Sequence, residues 1–371
     1  MNKNLKTILA FVAFAAIAGA VLYFSNRGND GNEVVLEITA MLPLTGPAAA
    51  FGQDEKSGME AALANSELVS LDCQDSQGKP DIAVSILQQS YELKGRRVFV
   101  CSTTGPSMAV LPILRDKDDE SLVFVIATLS DITVDFPNAI RIYPSVDEEI
   151  RVLGDFAEES GFKSIAALCV RNQAGEDAIR TMSNRSAQFG GSVIYSDTFA
   201  ANEKDFRSIL QKIKSQKPDA LLVTGYSFNY VDIFKQMIES DFDVPVLAGV
   251  GVPLAGLEEA FPKPFLKRVV FPATKFSYSK DDPKVKEFER LVASKGKVAN
   301  YEMAFAFDTM NLILNSVEPD QSPAELLEQI MANQPFEGVN GSIKLDQNRD
   351  ARLQLEPCRY GQNGIERLSI K

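Results

Sequence analysis

From residue 34 onward, short apolar runs rich in β-branched residues alternate with longer segments of helical period. The runs are VVLEITAML (34–42), LVSLD (68–72), RRVFV (96–100), LVFVI (122–126), SIAALCV (164–170), ALLVT (220–224) and VPVLA (244–248). Between them lie DIAVSILQQSYEL, EEIRVLGDFAEES, DFRSILQKIKSQ and YVDIFKQMIES, whose apolar positions recur every three to four residues. Strands that are apolar throughout are covered on both faces, so the pattern predicts parallel, doubly wound α/β sheets. Lys217-Pro218-Asp219 ends a helix just before its strand, as an αβ loop should. The pattern restarts near RIYPS (141–145), near Phe271–Thr274 and after Asp350, which predicts a chain crossing three times between two lobes. Residues 276–335 read as mostly helical, and the tail as a β-hairpin around Gly361–Gly364.

A length of 371 residues allows two domains, each with its own core. The lobes are expected at 32–143 plus 274–350 and at 144–273 plus 351–371. A formal net charge of −12 argues against nucleic acid and anionic membrane as partners. The chain has no histidine, which removes Ser-His-Asp and Cys-His catalysis and every imidazole metal site. No GxSxG elbow occurs and no histidine is present to activate a nucleophile, so no enzyme activity and no cofactor are expected. Cys73, Cys101, Cys169 and Cys358 show no CxxC spacing.

The first 31 residues change the picture of location. Lys3 and Lys6 precede an apolar run from Thr7 to Phe24 and a polar linker, SNRGNDGNE. This is a signal peptide or a single membrane anchor. Ala18-Gly19-Ala20 fits a cleavage site, while Val21–Phe24 extends the run to just spanning length, so cleavage and tethering both stay open. The basic residues belong inside and the rest of the chain outside, in the periplasm or its equivalent.

Leu42–Leu63, LPLTGPAAAFGQDEKSGMEAAL, places Thr45, Gly46 and Pro47 at a strand's carboxyl end, where open α/β sheets bind ligands. This stretch resembles the opening of the periplasmic leucine/isoleucine/valine-binding proteins. So do CSTTGPSMAVLPI (101–113), residues 190–226, FAFDTMNLI (305–313) and FEGVNGSIKLDQNRD (336–350), in the same order over residues 35 to about 371. The resemblance implies a class I periplasmic binding protein: two Rossmann-like lobes, three crossovers and a cleft that closes by a hinge. The helix after Gly58 runs almost directly into ELVSLD, without the Gly-rich hairpin usual in that family.

The resemblance also assigns a ligand site. Thr104 with Gly105, and Ala127 with Thr128, match positions that seat a ligand carboxylate on N–H groups and hydroxyls, although such threonines also serve as plain helix caps. Phe51 and Tyr226 match pocket-lining aromatics, and Phe276 matches one that covers the pocket from the third crossover. Two matches depart from the family. RNQAGED places Ala174 where the amino-acid binders carry a tyrosine, and PVLAGVGVP places Val250 where they carry an acid. A buried ammonium without acceptor or anion is costly, so the expected ligand is a small carboxylate or neutral solute, not leucine. Gln173, Glu176 or Asp177 could replace the lost groups only after a slip in register. Some relatives join the positions near Cys73 and Cys101 by a disulfide; Asp308 and Asp346 match structural positions.

The implied function is that of a monomeric solute-binding component of an ABC uptake system, delivering its ligand to an inner-membrane permease. The alternative is a membrane-tethered module that senses the same kind of ligand.

Overall fold

The computed structural model describes residues 34–117, 120–129 and 131–369. The apolar stretch Thr7–Phe24 therefore lies outside the described residues. The first half-lobe alternates β1 (Leu36–Leu42), α1 (Ala49–Ala62), β2 (Val69–Asp75), α2 (Pro80–Gln88), β3 (Val98–Ser102), α3 (Thr104–Leu114), β4 (Leu122–Ile126) and β5 (Ala139–Arg141). The five strands form one parallel sheet in the order β2-β1-β3-β4-β5.

The chain then enters the second lobe through α4 (Val146–Glu159), β6 (Ser164–Val170), α5 (Gln173–Gln188), β7 (Ser192–Phe199), α6 (Arg207–Gln216), β8 (Ala220–Thr224), α7 (Ser227–Glu239), β9 (Val246–Ala248) and β10 (Val269–Ala273). It returns to the first lobe as α8 (Lys275–Tyr278), α9 (Pro283–Ser294), α10 (Tyr301–Leu314), α11 (Pro323–Ala332) and a small antiparallel sheet of β11 (Phe336–Gly338), β12 (Gly341–Leu345) and β13 (Ala351–Leu353). A last crossing delivers β14 (Glu356–Tyr360) and β15 (Ile365–Arg367), antiparallel strands that extend the second sheet to β15-β14-β10-β9-β8-β6-β7. The fold is thus two doubly wound α/β lobes with three crossings between them.

Strand alternation explains the double covering. On β3 and β4, Val98, Val100, Leu122 and Phe124 face a core shared with Phe305, Met310 and Ile313 of α10. Phe99, Cys101, Val123 and Val125 face the opposite core with Leu87 of α2 and Val110, Leu111 and Leu114 of α3. The second sheet repeats this. Leu168, Leu221 and Val223 pack on Leu210, Ile233 and Phe234, while Ile165, Ala167 and Leu222 pack on Ile150, Leu153 and Met182.

Polar side chains pin the crossings. Arg141, wholly buried, ion-pairs with Asp350 at 2.6 Å and Asp131 at 3.2 Å, and its Nη1 donates to the carbonyls of Thr128, Tyr143 and Pro144. Glu148 closes a capping box with Ser145 and accepts the Leu353 amide at 3.0 Å, which joins the first crossing to the third. Asp308 accepts from the amides of Val339 and Asn340, and Asn340 accepts from the Thr274 hydroxyl at the second crossing. Asp346 accepts from the amides of Asn348 and Asp350 in its turn. Both aspartates therefore have the structural roles expected of them.

All four cysteines are free. The strand β1 lies between β2 and β3, with Ala40 opposite Cys73 and Met41 opposite Cys101. Two strand spacings separate the thiols' backbones by about 9–10 Å, beyond the roughly 7 Å a disulfide tolerates. The Cys73–Cys101 bond that the resemblance allowed is absent here.

Candidate functional site

At the carboxyl ends of β6, β8 and β9 the second lobe carries a cavity of about 100 Å³, with Leu129 of the first lobe also on its wall. Larger hollows lie elsewhere, such as one of about 390 Å³ between Val34–Val98 and Val317–Leu326. That one sits at the amino ends of β1 and β3, the wrong end for ligand binding in an open α/β sheet.

The cavity wall is mostly apolar. Val170, Ala174 and Ala178 come from the end of β6 and from α5, Tyr226 and Tyr230 from α7 and the turn before it, and Val250 from the loop after β9. Asn172 caps α5 by accepting the Gly175 amide at 3.0 Å. Gly175 is required there, because a Cβ would fall 1.9 Å from the Val170 carbonyl oxygen. Val250 also packs with Tyr143 and Tyr301, so it belongs to the first lobe's core as well as to the cavity.

Among the described residues on this wall, Glu149 alone carries a carboxyl. Its Oε2 accepts the Val250 amide at 3.2 Å, and its Oε1 is buried without a hydrogen-bond partner. Burial, above all, pushes its pKa up to about 8; neighbouring Glu148 adds to this, and the Val250 amide and Arg141 oppose it. Tyr230, whose hydroxyl accepts the Gly249 amide at 3.2 Å, stands beside it.

The structure brings Ala174, Tyr226 and Val250 together on this cavity. Tyr226 is half exposed and stacks on Phe228, with ring centres 5.6 Å apart and planes 9° from parallel. Thr104 and Gly105 open α3, and Ala127 and Thr128 follow β4, so all four gather at the carboxyl ends of adjacent strands. None of the four lines the cavity. Thr104 and Gly105 are exposed, while Thr128 is buried with its hydroxyl donating to the Ile126 carbonyl. Thr103 and Ala127 hold positive φ values of 71° and 50° at these two strand ends, a strained backbone of the sort that gathers at binding sites. Phe51 is half-buried on α1, outside the cavity wall. Phe276 is buried in the first lobe, where its ring meets Phe288 at 5.5 Å.

Sequence reasoning passed over Glu149. The available signal was the acid pair Glu148-Glu149 after Ser145. Cap spacing commits the first acid to Ser145, and the second, 100° further round the helix, must face elsewhere.

A family model described as periplasmic binding protein matches residues 36–356. The chain belongs to the periplasmic binding protein family. The Leu/Ile/Val-binding protein homolog 3 of Brucella melitensis is 27% identical over 262 residues, covering 67% of this chain and 68% of that protein. Among solved structures, a Rhodopseudomonas palustris solute-binding protein in complex with 3,4-dihydroxybenzoic acid superposes with a TM-score of 0.79 at 19% identity, covering 91% and 96% of the two chains. The isoleucine-bound branched-chain amino acid substrate-binding protein of Streptococcus pneumoniae gives 0.75 at 17% identity, covering 90% and 99%. These relatives of the periplasmic binding protein are named as solute-binding proteins of the branched-chain amino acid and aromatic-acid kinds. Among its described residues no helix is long and apolar enough to cross a membrane.

Proposed function

We propose that this protein is the exported solute-binding component of an ABC uptake system. It takes a small carboxylate or neutral solute between its lobes and presents it, as a monomer, to an inner-membrane permease. The lobes we propose are 32–143 plus 274–350 and 144–273 plus 351–371, except that Ala351–Leu353 pairs with β12 and stays with the first lobe.

The observation that carries the ligand class is the apolar wall at Ala174 and Val250. An α-ammonium needs three acceptors, and these two side chains supply none. The benzoate-type ligand of a neighbour with the same fold shows that the architecture can serve acids as well as amino acids. Thr104, Gly105, Ala127 and Thr128, at the strained ends of β3 and β4, remain the proposed seat for the acid group once the lobes close on a ligand, with Phe51 flanking it; Phe276, turned into the first lobe's core against Phe288, is dropped from the seat.

A thermal-shift screen of residues 32–371 against amino acids, aliphatic and aromatic acids, and amides tests this reading. A ligand at a hundredfold excess over its dissociation constant stabilises the folded state by about 2.7 kcal/mol. A shift with acids or amides supports the proposal, and a shift confined to branched-chain amino acids refutes it.

A further inference from the structure

Glu149 sits where the first crossing enters α4, and half of its carboxyl is accounted for. Oε2 takes the Val250 amide; Oε1 has no partner, although water does not reach it. Buried polar atoms are almost always hydrogen-bonded, and Glu149, a residue of the cavity wall, keeps one carboxyl oxygen without a partner. We propose that Glu149 selects the ligand, its Oε1 donating a hydrogen bond, as a neutral carboxylic acid, to a carboxylate or carbonyl oxygen lodged in the cavity. This deepens the ligand class proposed above and rests on it.

The surroundings favour the neutral acid. Burial raises the pKa to about 8, so the proton is present at neutral pH. The nearest cation, Arg141, is already ion-paired with Asp350 and Asp131. On the same element, Glu148 is engaged with Ser145 and the Leu353 amide. From α10, Tyr301 and Glu302 approach; burial pushes the Tyr301 phenol well up, and Glu302, itself raised to about 7 by burial, accepts from Tyr143. Tyr143, before α4, and Tyr230, on α7, are likewise raised by burial and remain neutral. Cys169, near the end of β6, is pushed up to about 11 by burial. On α5 the charged Asp177 pairs with Arg180, and Arg185 with Asp155. No group around Glu149 therefore offers it a free positive charge among the described residues, and the ligand is met by a donor, not by an anion.

The proton stays on Glu149 throughout; binding makes a hydrogen bond and transfers nothing. The apparent affinity for an acid must then follow the fraction of the protein in which Glu149 is neutral.

The test is calorimetric titration of the full chain with benzoate, isobutyrate and leucine at pH 6, 7, 8 and 9, using wild type, Glu149→Gln and Glu149→Leu. For wild type, affinity for the acids should fall about tenfold between pH 7 and pH 9, in step with the neutral fraction. Glu149→Gln keeps an N–H donor at the same place, so its affinity should no longer change with pH. Glu149→Leu should bind at least tenfold more weakly than Glu149→Gln at every pH, with circular dichroism confirming that both variants are folded. Acid binding with a flat wild-type profile leaves the proposed ligand class standing and removes Glu149 from recognition. Leucine binding that tightens with pH and vanishes in Glu149→Gln makes Glu149 an ionised ammonium acceptor and overturns both readings. Binding of none of the three probes also overturns both.

Discussion

Glu149 Oε2 and the Val250 amide meet at 3.2 Å across 101 residues of chain, so the first turn of α4 and the loop after β9 are held as one wall. That wall carries a carboxyl in a place where burial penalises its charge.

Stability should consequently fall as pH rises over the range in which this carboxyl stays protonated only in the folded protein. The unfolded glutamate loses its proton near pH ~4.3, while the folded one keeps it to about 8. Between these values the folded state binds the extra proton, so the slope of unfolding free energy against pH is negative, about 1.4 kcal/mol per pH unit for one proton. Below the lower value this contribution is fully present. Urea denaturation of wild type and Glu149→Gln from pH 4 to pH 8 checks the sign: the variant should lose one proton's worth of slope.

The Arg141–Asp350 pair is buried on both sides and joins the first crossing to the third. Removing one member leaves the other charge without its counter-ion in a dry interior. Arg141→Met should cost about 3–5 kcal/mol, read as a lower denaturation midpoint with unchanged m-value.

Gly58 lies where α1 packs against α10, and a Cβ there would fall 2.1 Å from the Met303 carbonyl oxygen. Backbone cannot yield as a side-chain tip can. Gly58→Ala should destabilise by more than about 2 kcal/mol, of the order of an overpacked core, whereas the same change at Gly95, with open space around its Cβ position, needs only the cost of its positive φ.

Much of this fold was legible because both sheets are covered on two faces, so each central strand is a continuous apolar run that stands out between helix-period segments. The strands that escaped are those for which that logic fails. β7 is an edge strand whose exposed and half-buried positions alternate, and β5 has three residues. Three of the candidate positions share the cavity because main chain fixes them there: Ala174, Tyr226 and Val250 each follow a strand or open a helix at the carboxyl edge of the second sheet. Glu149 was not, because a charged residue in a helix's first turn normally serves the helix dipole in water, and only tertiary packing shows that this one is buried. Phe276 matched a covering aromatic by alignment, yet the turn that carries it faces Phe288 and the first lobe's core.

With Cys73 and Cys101 on either side of β1, reductant has no bond to break. The melting temperature should be the same with and without dithiothreitol. The Cys73 thiol, half-buried and pushed up to about 11 by burial, should react slowly with thiol reagents at neutral pH.

The most direct measurement is calorimetric titration of the protein with leucine, isoleucine and valine at pH 7. An apolar wall at Ala174 and Val250 predicts no binding below the millimolar range. Micromolar binding of any one of the three would contradict the account, because an α-ammonium would then have found its acceptors in this cavity.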